Sequence, residues 1–181
     1  FRSGLLAKAY FDSDAIEIVF IARGDTKKAI AENGLKIILD DSEMIVFPKL
    51  LSDDPEKIGK LDYLICATKT YDIETSLESI KNSITSKTTL LPLYNGVDAT
   101  ERLLKLFPEN NVLQGCVYIV SMITSPGVIR KIGPYEKLYF GSKNISDTTA
   151  KELQTIFEKA KIESYLVPNI EETVWEKFIF I

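Results

Sequence analysis

The amino-acid sequence predicts an α/β domain in which a mainly parallel sheet is covered by helices on both faces. Short β-branched runs alternate with stretches whose apolar residues recur at helical spacing, which is typical of βαβ units. The 181 residues are 45% hydrophobic and 27% charged, as in an ordinary globular chain that buries a core. Sheets of this kind bind ligands at the carboxyl ends of their strands.

The predicted elements follow one another along the whole chain, without internal repeats. Helices are predicted over residues 2–10, 25–33 with Asp25 as N-cap, 71–84 and 99–107, then from Asp147, and finally from an Asn169 cap to the end of the chain. Strands are predicted over residues 16–22, 62–68, 88–93 and 164–167, with a hairpin formed by 35–39 and 44–47. Residues 112–140 are predicted as strands that are broken at Ser125-Pro126-Gly127 and at Gly133-Pro134.

The composition excludes several classes of function. A formal net charge of −4 gives no basic field for nucleic acid or an anionic membrane, so neither is expected as a partner. Histidine is absent, which excludes Ser-His-Asp and Cys-His arrangements and histidine metal sites, and we predict no metal site. Cys66 and Cys116 lie far apart in apolar runs, which indicates reduced core thiols. No apolar run reaches the roughly 20 residues that span a bilayer, so we expect a soluble, cytoplasmic protein.

Two cationic residues follow predicted strands. An arginine at the end of the second strand of a dinucleotide-binding unit pairs with the 2′-phosphate of NADP, and Arg23 occupies such a position. The alternative is a solvated loop arginine. Lys69 ends a buried strand ahead of a helix N-terminus, which favours an anion site. The alternative there is an ordinary surface lysine.

Two further polar side chains are candidates for catalysis. Asn95 follows a strand, where its amide can donate to and accept from a carboxamide or a keto acid, although an asparagine in a left-handed turn is the alternative. The last helix has a predicted apolar stripe formed by Ile170, Val174, Phe178 and Ile181. Lys177 lies at the edge of this stripe, where desolvation would lower its pKa and suit a proton donor. In the alternative, the ammonium reaches water while the stem covers apolar surface. We interpret Trp175 as core packing.

Five segments, in order, carry a resemblance to one family. IARG, ATKTYD, LPLYNGVD, SPGVIRKIG and NIEETVWEKF resemble the ketopantoate reductases (2-dehydropantoate 2-reductases) in content and in spacing, from Gly4 onward. The resemblance implies a Rossmann-like NADP-binding domain over residues 1–168, followed at 169–181 by the start of a helix that leads into a helical substrate domain. It also implies NADPH-dependent reduction of 2-dehydropantoate to pantoate, a step towards pantothenate and coenzyme A. The implied cofactor is NADP(H), the implied substrate is a small 2-oxo acid, and a homodimer is compatible with it.

The resemblance assigns a role to each candidate residue by position. It assigns Arg23 to the 2′-phosphate of the cofactor and Lys69 to a position facing the cofactor. It assigns Asn95 to the nicotinamide and the substrate, and Lys177 to substrate binding and proton donation. Ser121 corresponds, through its backbone, to a further cofactor contact.

Three departures from the family limit what this segment is expected to do by itself. The G-x-G-x-x-G loop and the strand before it are expected upstream of Phe1, and the helical domain is expected beyond Ile181. Ile181 itself stands where the family often has an asparagine, which leaves the substrate preference open. We therefore expect an N-terminal portion that is inactive alone. The alternatives are an NADP-dependent reductase of another 2-oxo acid and a nucleotide-binding module without catalysis.

Overall fold

A computed structural model of the chain describes residues 2–142 and 148–181. The helices in these residues are α1 Arg2–Tyr10, α2 Gly24–Asn33, α3 Pro55–Ile58, α4 Ile73–Glu78, α5 Ala99–Leu106, α6 Thr148–Lys159 and α7 Ile170–Phe180. The strands are β1 Val19–Ile21, β2 Leu35–Ile38, β3 Glu43–Val46, β4 Leu50–Ser52, β5 Tyr63–Cys66, β6 Thr89–Pro92, β7 Gln114–Ser125, β8 Val128–Gly141 and β9 Ser164–Leu166. Asp147, the predicted start of a helix, lies outside the described residues.

The strands form two parallel pairs and one larger mixed sheet. β1 pairs with β4 and β5 with β6, while the five-stranded sheet has the order β3-β2-β8-β7, with β9 alongside β8. The α/β class is confirmed, but the largest sheet is not mainly parallel, because β7 and β8 pair along their length in antiparallel fashion. Only Pro126 and Gly127 connect these two strands, and so short a connection joins antiparallel neighbours.

The predicted break at Gly133-Pro134 is wrong, because β8 continues through it. Ile119 of β7 lies opposite Glu136, whereas the next residue, Val120, lies opposite Ile132. Residues 133–135 therefore form a bulge, where a proline without an N–H group interrupts no regular pairing. The sequence signal was real, but it marks a bend within one long strand.

Two helix boundaries also differ from prediction. Residues 71–84 do not form one helix: α4 is short, and 3-10 turns at Thr70–Asp72 and Lys81–Ser83 flank it. Serine hydroxyls explain the shortness, because Ser76 donates to the carbonyl of Ile73 at 3.0 Å and Ser79 to that of Ser76 at 2.7 Å, in competition with the helical ladder. α2 begins one residue before Asp25, so this carboxylate lies in the first turn instead of serving as the cap.

The apolar core fills the spaces between the sheets and their covering helices. Phe157 of α6 meets Phe140 of β8 edge to face, with ring centroids 5.5 Å apart. A second cluster beneath α4 and α5 includes the fully buried Ile73 and Leu103. Cys66 is buried in that cluster as a free thiol, and Cys116 is buried beneath α7, so the prediction of two core thiols is confirmed. No helix within the described ranges is long and apolar enough to cross a lipid bilayer.

Helix α7 packs against β7 through one face. Ile170, Val174 and Lys177 are buried and follow the i, i+4, i+7 spacing of a single helical stripe. Trp175 lies one position, or about 100°, away from that stripe and is 45% exposed, so its interpretation as core packing is wrong. Its indole instead packs edge to face against the ring of Phe178. Phe178 and Ile181, predicted as members of the apolar stripe, are 47% and 66% exposed, so that part of the prediction is wrong and the buried stripe continues through Lys177 instead.

Candidate active site

A buried ammonium group forms the centre of the candidate site. Lys177 is 8% exposed, and its Nζ donates to Oδ1 of Asn95 at 2.8 Å. Asn95 is exposed in the loop that follows β6, so α7 brings the lysine to the carboxyl end of that strand. The positive φ of this turn, 105°, belongs to Gly96. The interpretation of Asn95 as the left-handed residue is therefore wrong, and its amide is available for other interactions.

The surroundings of Lys177 are apolar and aromatic. Its Nζ lies 5.9 Å from the ring centroid of Tyr118, and no carboxylate in the described part of the chain forms an ion pair with it. Burial lowers the pKa of Lys177, and the nearby Cys116 partly opposes this effect. In the other direction, burial raises the pKa of Cys116. Because of its lowered pKa, Lys177 releases a proton more readily than a lysine side chain in water does.

Arg23 and Lys69 lie along the neighbouring strand ends. Arg23 follows β1 as the extended N-cap of α2, and its guanidinium contacts the hydroxyl of Ser79 after α4. Lys69 follows β5, also in extended backbone, and its side chain is exposed. Among residues 2–142 and 148–181, Lys69 has no side-chain hydrogen bond or ion pair. Both cations therefore face solvent at strand ends, where an anionic ligand can reach them.

A chain of hydroxyl groups connects these positions. From Ser79, the contact continues to the carbonyl of Ser76, whose own hydroxyl lies 3.5 Å from that of Thr68. Thr68 in turn lies 3.1 Å from the hydroxyl of Tyr94. Because Lys69 follows Thr68 and Asn95 follows Tyr94, the structure brings Arg23, Lys69 and Asn95 to one edge of the molecule.

Ser121 is placed less centrally. It lies on β7, three residues beyond Tyr118 and opposite Lys131, and it is exposed. The structure shows no hydrogen bond from its side chain to Lys177 or Asn95. A role for its backbone in cofactor binding stays a prediction.

Three residues next to the candidate site residues were not predicted as part of the site, namely Tyr118, Cys116 and Tyr94. Cys116 and Tyr118 are two positions apart on β7, so the alternation of a strand places both towards the same side. Tyr94 is buried beside Cys66, and burial raises the pKa of Tyr94 to about 12 and that of Cys66 to about 12. These residues lie within apolar runs of the sequence, and nothing local in those runs indicates that a lysine packs nearby.

The cationic strand-end edge fits a nicotinamide dinucleotide. Exposed Arg23 and Lys69 match phosphate groups in charge, and the Asn95 amide matches a carboxamide or a carbonyl in hydrogen-bonding capacity. The buried Lys177 ammonium adds a proton donor next to that amide. The charges, the hydrogen-bonding groups and the positions of these residues are therefore all compatible with a nicotinamide dinucleotide.

Comparisons with known proteins point to one family. A family model described as ketopantoate reductase PanE/ApbA matches residues 3–144. The chain is 26% identical over 166 residues to the uncharacterized oxidoreductase YkpB of Bacillus subtilis (strain 168), covering 91% of this chain and 54% of that protein. It is also 26% identical over 176 residues to the 2-dehydropantoate 2-reductase of Pyrococcus abyssi, covering 97% of this chain and 55% of that protein. The chain spans about half the length of these curated relatives.

A solved structure extends the agreement to the fold. The crystal structure of 2-dehydropantoate 2-reductase from Porphyromonas gingivalis W83 superposes with a TM-score of 0.93 at 32% identity. The match covers 99% of this chain and 64% of that one. The predicted Rossmann-like α/β class is thereby confirmed. The chain belongs to the ketopantoate reductase PanE/ApbA family.

Proposed function

We propose that this chain forms the NADP-binding part of an enzyme that reduces 2-dehydropantoate to pantoate. The observation that carries the proposal is the buried ammonium of Lys177, 2.8 Å from Asn95, at the same edge as the exposed cations Arg23 and Lys69. Relatives that bear the name of this reductase support the choice of reaction. In this proposal residues 1–168 bind the cofactor, and residues 169–181 begin the helix that leads towards the substrate domain.

Lys177 and Asn95 have different tasks in the proposed reaction. The reduced nicotinamide, when bound, supplies a hydride to the ketone carbon. Lys177 donates a proton to the ketone oxygen, and the lowered pKa of Lys177 favours that transfer near neutral pH. Asn95 holds the ammonium through Oδ1, which leaves its Nδ2 to donate to the substrate or the carboxamide. No histidine is needed for any of these steps.

The cofactor contacts in the proposal come from the strand ends. Arg23 would form charge-assisted hydrogen bonds to the 2′-phosphate, which distinguishes NADPH from NADH. Lys69 would face the cofactor phosphates or nicotinamide ribose as a mobile cation, and the backbone of Ser121 would add a contact from β7. These roles rest on position and chemistry together.

A second candidate is reduction of a different, more apolar 2-oxo acid. Ile181 follows Lys177 by one helical turn, is 66% exposed, and stands where the resemblance leads us to expect an asparagine. The apolar side chain of Ile181 cannot form a hydrogen bond with the hydroxyl group of 2-dehydropantoate. It would instead favour a substrate with an alkyl group in that position.

One experiment distinguishes these functions. The intact protein is mixed with NADPH and either 2-dehydropantoate or alkyl 2-oxo acids, and the loss of nicotinamide absorbance is followed. We expect Lys177→Ala to lower turnover by about two to four orders of magnitude while NADPH binding is retained. Lys151→Ala removes an exposed lysine from α6 and serves as the matched control. Binding of NADPH without oxidation by any acid would favour the non-catalytic module, and near-normal turnover of Lys177→Ala would remove this lysine from the mechanism.

A further inference from the structure

An aromatic side chain from the middle of β7 lies next to the candidate proton donor. Tyr118 presents its ring to Nζ of Lys177 at 5.9 Å from the centroid, within the roughly 6 Å over which a ring face attracts a cation. Lys177 is buried and, in the described ranges, lacks a carboxylate partner. Its hydrogen bond to Asn95 is neutral on the acceptor side. The ring face is therefore a second source of negative electrostatic potential next to the ammonium, in addition to Oδ1 of Asn95.

We propose that Tyr118 is a positioning residue, whose ring face holds the Lys177 ammonium charged and directed at the substrate oxygen. The proposal rests on the proposed function, since it matters for turnover only if Lys177 donates the proton. An ammonium has three N–H groups. Asn95 accepts from one of them and the ring attracts the charge from a second side, and in this proposal a further N–H group donates to the substrate oxygen.

Neighbouring rings hold Tyr118 in place. Tyr118 meets Tyr139 of β8 edge to face, with centroids 5.8 Å apart and planes at 80°. Tyr139 stacks on Tyr165 of β9, with centroids 5.0 Å apart and planes at 18°. Three strands thus contribute one ring each to a rigid ladder that ends at the lysine. Such a ladder fixes the ring far better than a single side chain could.

The other titratable groups at this place do not replace the ring. Cys116 of β7 is buried, and burial raises its pKa, so it remains a neutral thiol near neutral pH. Tyr139 of β8 contacts Tyr118 and Tyr165 through its ring. Glu176 of α7 acts electrostatically on Tyr118 and is exposed. Burial lowers the pKa of Lys177, and Cys116 partly opposes this effect; a ring face near an ammonium likewise favours the charged form.

The test compares ring removal at two rungs of the ladder. Tyr118→Leu removes the ring under Lys177, Tyr118→Phe keeps it, and Tyr165→Leu removes the far ring as the matched control. The pH dependence of kcat is measured in the intact protein with NADPH and its 2-oxo acid. For Tyr118→Leu we expect the alkaline limb to move to lower pH by about 0.5–1.5 units. Tyr118→Phe and Tyr165→Leu should keep the wild-type limb, with KM for NADPH unchanged in all three.

A second measurement determines the pKa of Lys177 and does not depend on enzymatic activity. Competitive acylation of Lys177 by acetic anhydride, quantified by mass spectrometry over a pH series, reports the pKa of this amine. An acid shift in Tyr118→Leu but not in Tyr165→Leu supports the proposal even if the reaction itself is misidentified. Equal titration of both variants and wild type overturns it. If Tyr118→Leu does not fold, Tyr118→Met fills the space with a flexible apolar chain and answers the same question.

Discussion

Replacing Lys177 by methionine separates the demands of stability from those of catalysis. The lysine is 8% exposed, so its charge is held away from water without an ion-pair partner in the described residues. Removing the charge forfeits a hydrogen bond worth about 1.5–3 kcal/mol and a ring contact worth about 0.5–2 kcal/mol. It also relieves a desolvation penalty of several kcal/mol. Since Asn95 is exposed and water can replace the ammonium, we expect Lys177→Met to stabilise the fold by about 1–2 kcal/mol.

The pH dependence gives this prediction its signature. Burial lowers the pKa of Lys177 in the folded protein below its ordinary value of 10.5. Between the lowered pKa and 10.5 the unfolded chain binds more protons than the folded one, so wild-type stability rises with pH across that window. The advantage of Lys177→Met is therefore full near neutral pH and disappears as the pH approaches the upper end of the window.

The assay is urea unfolding of the intact protein, followed by circular dichroism at several pH values. We expect a higher midpoint for Lys177→Met at an unchanged m-value, together with loss of NADPH oxidation. Lys151→Met, on the exposed face of α6, should change stability by less than about 0.5 kcal/mol. A Lys177→Met protein destabilised by about 1 kcal/mol or more would refute the reasoning, because the buried ammonium would then be a net structural contribution.

Three further predictions concern the cofactor edge, the packing of α7 and a buried thiol. Arg23→Ala should weaken NADPH binding more than NADH binding by about 1.5–3 kcal/mol in fluorescence titrations, whereas equal losses would indicate a structural arginine. Gly141→Ala should lower the free energy of unfolding by about 1–3 kcal/mol in urea, because its Cβ would collide with the Val167 carbonyl oxygen and lie 3.0 Å from Cβ of Ile170. Cys66, whose pKa burial raises to about 12, should resist iodoacetamide at about pH 9 until the protein unfolds, and rapid native labelling seen by mass spectrometry would contradict that burial.

Local sequence patterns were enough to predict the α/β class and the strand-end positions of Arg23, Lys69 and Asn95. Each of these residues directly follows an apolar run, and the sheet converts sequence position into spatial position. The burial of Lys177 could not be predicted in this way, because such a helical stripe is compatible with an ammonium group in water and with one in the core. The outcome depends on what α7 packs against, namely β7, and no local pattern carries that information.

The errors have two origins, tertiary context and local side-chain hydrogen bonds. Trp175 lies one step outside the buried stripe of α7, a difference of phase that residue type cannot reveal. The segment 71–84 has helical periodicity, but its serines use backbone carbonyls as acceptors and shorten the helix. Gly133 and Pro134 are ordinary turn residues that a long antiparallel pair absorbs as a bulge. For Trp175 and for Gly133-Pro134 a correct local signal was overruled by packing or pairing with a segment distant in sequence, whereas for 71–84 the competing hydrogen bonds are themselves local.

The bond between Asn95 and Lys177 joins residues 82 positions apart, and this separation constrains how the protein matures. Contacts between segments so far apart in sequence form only after the long loop between them has been closed, at an entropic cost that local contacts do not carry. The core has the same requirement over a longer span, because the hydroxyl of Tyr10 donates to the carbonyl of Ile156 across 146 positions. The hydrogen bond between Asn95 and Lys177 therefore forms only in chains that have been synthesised through α7, and a nascent chain that ends before α7 leaves the Asn95 amide without this partner.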